Sequence, residues 1–514
     1  MKKTVIFLMF ITMFTKILGF LRDIILSYYY GTSQISDAYL IADSIPIIII
    51  SLIGTGLATS YIPMYTKIEK HESVLASDRF TNNIIGFVIL MCSIILLLSQ
   101  LFTVEIVKIF ASGFRGETLK LAVQFTKISI FGIYFSCLVY IFSGYLQLKE
   151  RFVATSLLGL PYNIVVIGSV VLGAGINKVV ILPIGGIFAE AFKFLFLLPY
   201  IIKSGFKYQM VLDFKDKHLK NLMFLALPVI IGVSVNQINL IVDKTIASRI
   251  VTGGISALTY SSRISQLIQS VFVITIATVV FPRMSKAAAE RNGDYLKILI
   301  TKSFCWIHLI VIPASVISIL FSEPIVKILF GRGAFDHNAL LLTSSTLLFY
   351  SIGNTAMGLR EILSRAFYSL QDTKTPMINA TIALLFNIIL NLILTEFMNL
   401  AGIALATSIA AIIGAFLLFI NIQKKVGKFS PKEIYPSFLK ISISSIIMGV
   451  VSKFIFKILL NQVGLSFSLI ISFALGILIY SILIYFMKIN EVELVLQMAK
   501  NKIIHFNKEK GVES

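Results

Sequence analysis

Two cations and a carboxylate stand inside the first long apolar run of this chain, where a simple membrane anchor would carry none. The run extends from Val5 to Tyr30, and Lys16, Arg22 and Asp23 interrupt it. A charge near mid-bilayer costs roughly 2.5–3.5 kcal/mol on insertion scales. Such residues face a water-filled cavity or one another rather than lipid. A guanidinium grips phosphate through its planar fork, so Arg22 and Lys16 together point to an anionic cargo. Arg263, in the stretch SSRISQL, is a third candidate cation. The alternative is that Arg22 and Asp23 sit at the outer interface and snorkel there. Asp37 falls at the outer end of the second run, near Arg22 if the first two runs pack as a hairpin. That pair is expected to act either as a gate, opened when an anion takes the arginine, or as a static bridge. Asp243, Asn387, Asn391 and Thr407 bring four oxygen-bearing groups into apolar surroundings. They could hold Na⁺, or bond one another across helices. Asn387 and Asn391 are four apart and share a helix face. Lys127, Lys193 and Lys453 lie near the ends of their runs and are expected to snorkel.

These residues need elements that cross a membrane, and the composition supplies them. Of the 514 residues 57% are hydrophobic and only 14% charged, with a mean hydropathy of +0.91. No soluble chain of this length looks so; an all-α polytopic membrane protein does. Apolar runs of about 20 residues, the length a spanning helix needs, recur near 5–29, 38–64, 82–104, 122–146, 153–174, 179–201, 221–248, 257–281, 300–320, 341–364, 376–396, 401–421, 438–460 and 467–487. That predicts fourteen spans. With the N-terminus inside, 29 of the 45 Lys and Arg fall in cytoplasmic segments and 8 in the opposite loops. The bias places both termini in the cytoplasm. It also accounts for most of the +20 net charge without nucleic acid, and the basic tails are expected to touch anionic lipid headgroups. The first run is too long for a cleavable signal and lacks a small-residue cleavage site. The three cysteines and five histidines form no metal or redox pattern. No loop leaves room for a soluble catalytic domain, which argues against a membrane glycosyltransferase or polymerase.

An internal repeat organises the runs. Ala38 to Pro63, within SYIPMYTK, has the same separation as Ala257 to Pro282, within VVFPRMSK. Leu146-Gln147 is echoed by Leu370-Gln371, and Asn163 and Asn387 follow those glutamines at equal distance. Spans 1–6 and 7–12 therefore read as two copies of one unit, both starting inside. This is a parallel repeat, with a transport site expected between the halves. The division expected is 1–203 for the first six-helix lobe, 204–425 for the second, and 426–514 for two extra helices and a basic tail.

The segments MFTKILGFLRDIILSYYYG, SDAY and AFYSLQDTKTP resemble the MurJ (MviN) lipid II flippases of the multidrug/oligosaccharidyl-lipid/polysaccharide exporter superfamily. The resemblance implies two six-helix lobes about a cationic cavity, and a groove beside helices 13 and 14 for a polyprenyl tail. It implies substrate-binding roles for Arg22 and Arg263 and a role for Asp37. Lys16 stands where many members have Arg. Two departures matter: Ile50 replaces a usual Arg, and Thr55 a usual Glu. The expected activity is flipping of lipid II from the inner to the outer leaflet of the bacterial cell membrane by alternating access, without covalent chemistry. Another polyprenyl-diphosphate glycan, or a drug-cation antiport, is the alternative. The membrane potential or Na⁺ would drive it, with no cofactor. A monomer is expected, with cell-wall synthesis proteins as further partners.

Overall fold

The computed structural model describes residues 2–489 and 491–493; for 2–9 and 431–434 it describes the backbone alone. The C-terminal part of the expected basic tail, from residue 494 on, lies outside the described residues. Every regular element among them is a helix, as a chain that must satisfy its own backbone in lipid requires. In order these are α1 (Lys2–Tyr30), α2 (Gln34–His71), α3 (Val74–Leu101), α4 (Thr103–Phe110), α5 (Gly116–Ser129), α6 (Ile133–Leu148), α7 (Phe152–Ser156), α8 (Gly159–Gly175) and α9 (Ile181–Lys203). They continue with α10 (Lys217–Ile250), α11 (Gly254–Ile268), α12 (Ile274–Ala289), α13 (Gly293–Leu320), α14 (Ser322–Leu329), α15 (His337–Ser369), α16 (Lys374–Met398), α17 (Leu400–Val426) and α18 (Pro431–Phe486).

Eleven helical stretches among the described residues are long and apolar enough to cross a membrane, against the fourteen expected. The difference has physical sources. The runs expected at 438–460 and 467–487 are two helices that meet at Gly464, whose φ of 77° and ψ of 173° are non-helical, so the single stretch α18 holds both. The run expected at 341–364 becomes α15, whose 33 residues are rich in Ser, Thr and Asn and carry Arg360, Glu361 and Arg365. α1 is a 29-residue helix outside the eleven. Elsewhere two short helices make one span: α11 and α12 join through a π turn, Gln269–Val273.

The repeat read from the prolines recurs in the helices. α3 and α4, of 28 and 8 residues, are separated by Phe102 alone; α13 and α14 have the same two lengths and are separated by Phe321 alone.

The chain forms two compact units. The first comprises residues 1–260 and 330–340, the second 261–329 and 341–514. In the first, α2 packs against α5, α6 and α10, and α1 packs against α8. Its aromatic core stacks Tyr61 on Phe80 and sets Tyr65 edge-on to Tyr145. The tyrosine hydroxyls are bonded within it: Tyr61 pairs with Thr81 at 2.8 Å, and Tyr65 donates to Asp78 at 3.0 Å. Gly54 lets α2 approach α6, since a Cβ there would lie 2.7 Å from the Tyr140 ring. In the second unit α16 packs along α17, and α13 along α18, with Phe321 set between Phe456 and Phe473.

The QDTKTP turn before α16 is tied by a carboxylate. Asp372 accepts from the Thr375 amide at 2.9 Å and hydroxyl at 2.6 Å, and from the Lys425 ammonium on α17. Burial alone would raise its pKa; the Lys425 ammonium and the Thr375 donors outweigh that and hold it well below the usual carboxylate range. The stabilisation is therefore complete above the unfolded carboxylate pKa near 3.9 and is lost as pH falls through the depressed folded value. Asp372→Ala is expected to lower stability by about 1 kcal/mol. The deficit should be constant between neutral pH and mildly acidic pH, as measured by thermal unfolding in detergent. A deficit that vanished in mild acid would contradict the assignment.

Candidate functional site

Arg22 lies about two turns before the C-terminal end of α1 and is held in place from two sides. Its Nε and Nη2 donate to Asp23 Oδ1 at 3.0 and 2.8 Å. Its guanidinium carbon sits 5.9 Å from the centre of the Tyr162 ring on α8. Adjacent residues on a helix point about 100° apart, so this pairing turns the arginine sideways along the helix surface. The Arg22 side chain is 17% exposed and Asp23 only 4%. This is an oriented, partly desolvated cation rather than one snorkelling into water. Lys16, about 9 Å further along α1, is exposed.

The same tyrosine ring carries a second cation. Lys193 lies 5.1 Å from its centre and donates to both Glu190 oxygens, at 2.9 and 2.8 Å. Lys193 therefore does not snorkel: it sits mid-helix in α9, tied to a carboxylate one turn away. Glu190 was not singled out from the sequence, although an acid and a lysine at i,i+3 within a span were a readable signal. Glu190, Asp43, Tyr39, Tyr162, Ser136 and Ile50 line a small open cleft in the first unit. Ile50, one of the two family departures, thus lines the same cleft as the acids Asp43 and Glu190.

Asp37 does not pair with Arg22. It is 1% exposed and caps the start of α11. Its Oδ2 accepts from the Gly253 amide at 2.7 Å, and its Oδ1 from the Ser256 amide and hydroxyl, both at 2.8 Å. The physical reason is position along the helices. Asp37 sits in the first turn of α2, level with the end of α1, while Arg22 lies eight residues or about 12 Å deeper. Each found its nearest partner: the arginine an adjacent carboxylate, the aspartate the unbonded amides and positive end of a helix.

The seam around Asp37 is dense. Gly31 adopts φ 56°, and a Cβ there would lie 2.3 Å from the Ala334 carbonyl oxygen. Its carbonyl accepts from Ser36 at 2.8 Å and from Tyr260 at 3.2 Å. The Ala334 amide donates to the Tyr28 carbonyl at 2.8 Å, and Tyr260 stacks on Phe330. The α1–α2 turn, residues 253–260 and residues 330–335 are thereby knitted together within the first unit.

Arg263 belongs to the second unit, where its Nη1 reaches Gln266 at 3.3 Å. Just beyond it the π turn directs Gln269 to the Asn354 carbonyl at 2.7 Å; such turns recur at functional sites. Of the four residues considered for Na⁺, three form a chain in the second unit. Asn391 donates to Asn387 at 2.9 Å, and Asn387 to Thr407 at 3.2 Å. Asp243 belongs to the first unit, with Asn239 3.5 Å away.

The family model described as "Lipid II flippase MurJ" matches residues 26–474. A lipid II flippase MurJ of Thermosipho africanus is 31% identical over 92% of this chain and 93% of its own length. A probable lipid II flippase MurJ of Buchnera aphidicola is 30% identical over 81% of this chain and 82% of its own. A solved lipid II flippase MurJ in an inward closed conformation matches with a TM-score of 0.80, at 30% identity, over 93% of this chain and 98% of the other. A multidrug transporter of the MATE family, in an inward-facing conformation, matches with a TM-score of 0.69 at 15% identity, a likeness of fold alone.

Proposed function

The chain belongs to the lipid II flippase MurJ family, and from that premise we propose that it carries lipid II from the inner to the outer leaflet of a bacterial cell membrane by alternating access. The observation that carries this reading is Arg22, an oriented guanidinium inside the first span, steadied by Asp23 and Tyr162. A pyrophosphate offers oxygens to which such a fork donates in pairs. Arg263 and Lys16 are the further candidate cations of this reading. No bond is made or broken, so the protein acts as a transporter and not as an enzyme. The bias of Lys and Arg supports cytoplasmic termini. An interior-negative potential drives an anionic headgroup outward by roughly 2.3 kcal/mol per charge per 100 mV.

The test is leaflet accessibility of lipid II in cells depleted of this protein and complemented with it. Restored outer-leaflet exposure supports the reading. Exposure that never falls on depletion, in a cell without another flippase, sinks it. Na⁺ coupling is the second part of the proposal, through Asp243, with Asn239 3.5 Å away. Asp243→Ala is expected to flatten the dependence of transport on Na⁺. Identical Na⁺ titrations for variant and wild type would leave the potential as the driving force.

A further inference from the structure

We propose that the segment joining α9 to α10, residues 204–216, is a lipid-inserted strap lying extended in the cytoplasmic face of the bilayer. Apolar side chains recur along it at every second position: Tyr208, Met210, Leu212 and Phe214 are 61, 92, 48 and 52% exposed, with Lys207, Gln209, Asp213 and Lys215 exposed beside them. The backbone between them is sewn to α3. Asn82 donates to the Lys207 carbonyl at 3.1 Å and accepts from the Gln209 amide at 3.1 Å. Asn83 donates to the Asp213 carbonyl at 2.9 Å and accepts from the Asp213 amide at 2.7 Å. Both asparagines are buried. Gly86 allows the strap to lie flat, because a Cβ there would come within 2.2 Å of the Val211 carbonyl oxygen. At one end Phe206 is buried against Phe142 and Tyr145. At the other, Asp216 caps α10 through the His218 amide and accepts from Asn83 at 3.0 Å.

The arrangement solves a problem that arises at a membrane and not in water. Extended backbone next to lipid leaves amides and carbonyls without partners, each at a cost of several kcal/mol. Two side-chain amides here supply both the donors and the acceptors that a neighbouring strand would. Their height is also defined. Asn82 lies about 12 Å from the start of α3, where the helix's uninterrupted apolar run begins. α3 is 28 residues long, about 42 Å against a hydrocarbon core of about 30 Å, so its first turns project beyond the core. The strap therefore runs at the boundary between headgroups and acyl chains. Lys203, Lys207, Lys215, Lys217 and Lys220 flank the apolar stripe. Lysines beside an anionic leaflet are drawn to its surface potential. The stripe continues into exposed apolar residues of the adjoining spans, Leu195 and Ile202 on α9 and Phe224 and Leu227 on α10. Charge complementarity and this continuity both identify the occupant as the anionic lipid leaflet.

The experiment uses the full chain in vesicles of phosphatidylcholine and phosphatidylglycerol, with a nitroxide on Met210→Cys. The native Cys92, Cys137 and Cys305 are buried, and Met210 makes so little contact that its replacement leaves the fold intact. Collision with oxygen relative to a water-soluble nickel chelate is expected to be several-fold higher there than at Asp294→Cys, whose side chain is 90% exposed. A ratio equal to that reference overturns the strap and leaves a water-facing surface open to a protein partner. In the Asn82→Ala, Asn83→Ala background the ratio at residue 210 should fall toward the reference. An unchanged ratio would remove the asparagines from the mechanism. The readout does not depend on which leaflet holds the segment, so it is separate from the orientation on which the word cytoplasmic rests.

Discussion

Arg22→Ala is expected to abolish outward movement of lipid II while the protein remains in the membrane at wild-type level. The guanidinium donates twice to Asp23, at 3.0 and 2.8 Å, and lies over Tyr162, so its head is already oriented when an anion arrives. Truncating one partner of a desolvated charged pair typically costs about 2–5 kcal/mol. At about tenfold per 1.4 kcal/mol, transport should fall by well over tenfold. Arg22→Lys separates charge from geometry: an ammonium keeps the attraction but loses the fork, and its rate should fall between the two. The check is exposure of lipid II to an externally added modifying enzyme, beside an immunoblot of membrane fractions. Wild-type exposure with Arg22→Ala would show that the pyrophosphate is held elsewhere.

Asp37→Ala should have the second largest effect, through a different cause. The carboxylate satisfies the Gly253 amide and the amide and hydroxyl of Ser256 in a site 1% exposed. Removing it orphans buried donors and strips a negative charge from a helix N-terminus. The expected loss is about 3 kcal/mol locally. That loosening falls on the seam formed by residues 28–37, 253–260 and 330–335. A cysteine placed at Thr32, whose carbonyl oxygen a Cβ on Gly253 would meet at 2.5 Å, should then react faster with an impermeant maleimide. Lipid II exposure should fall together with that change. Asp37→Asn retains one acceptor oxygen but turns an amide toward donors, so it should label at an intermediate rate. Unchanged labelling in Asp37→Ala would mean the seam is held by Gly31 and Tyr260 without the cap.

Much of the architecture was legible because a bilayer is a severe solvent. Apolar runs of fixed length and a biased distribution of lysine and arginine suffice to mark spans, and the prolines at 63 and 282 marked a repeat that returns as paired helices of equal length. Arg22 was legible for the same reason: a guanidinium inside an apolar run needs an explanation. The spans are least distinct where hydropathy blurs, in the Ser- and Thr-rich α15, and where two runs meet end to end at Gly464 in α18. Lys193 was misjudged because nearness to the end of an apolar run suggested water, whereas the helix continues to Lys203 and Glu190 supplies the counter-charge.

By itself, then, the sequence determined the solvent, the class of fold, the repeat and the residues whose charge demands a purpose. Those properties are one-dimensional: they follow from how many apolar residues stand together and which charges interrupt them. Partnership was decided only in the tertiary structure. Asp37 was set opposite Arg22 by sequence reasoning and is instead held by Gly253 and Ser256, more than 200 residues away in the chain. Asn82 and Asn83, unremarkable in a row of letters, hold a linker more than 120 residues distant. Hydrogen bonds and ion pairs act over about 3 Å, and which groups come that close is set by how whole helices pack and how high each sits.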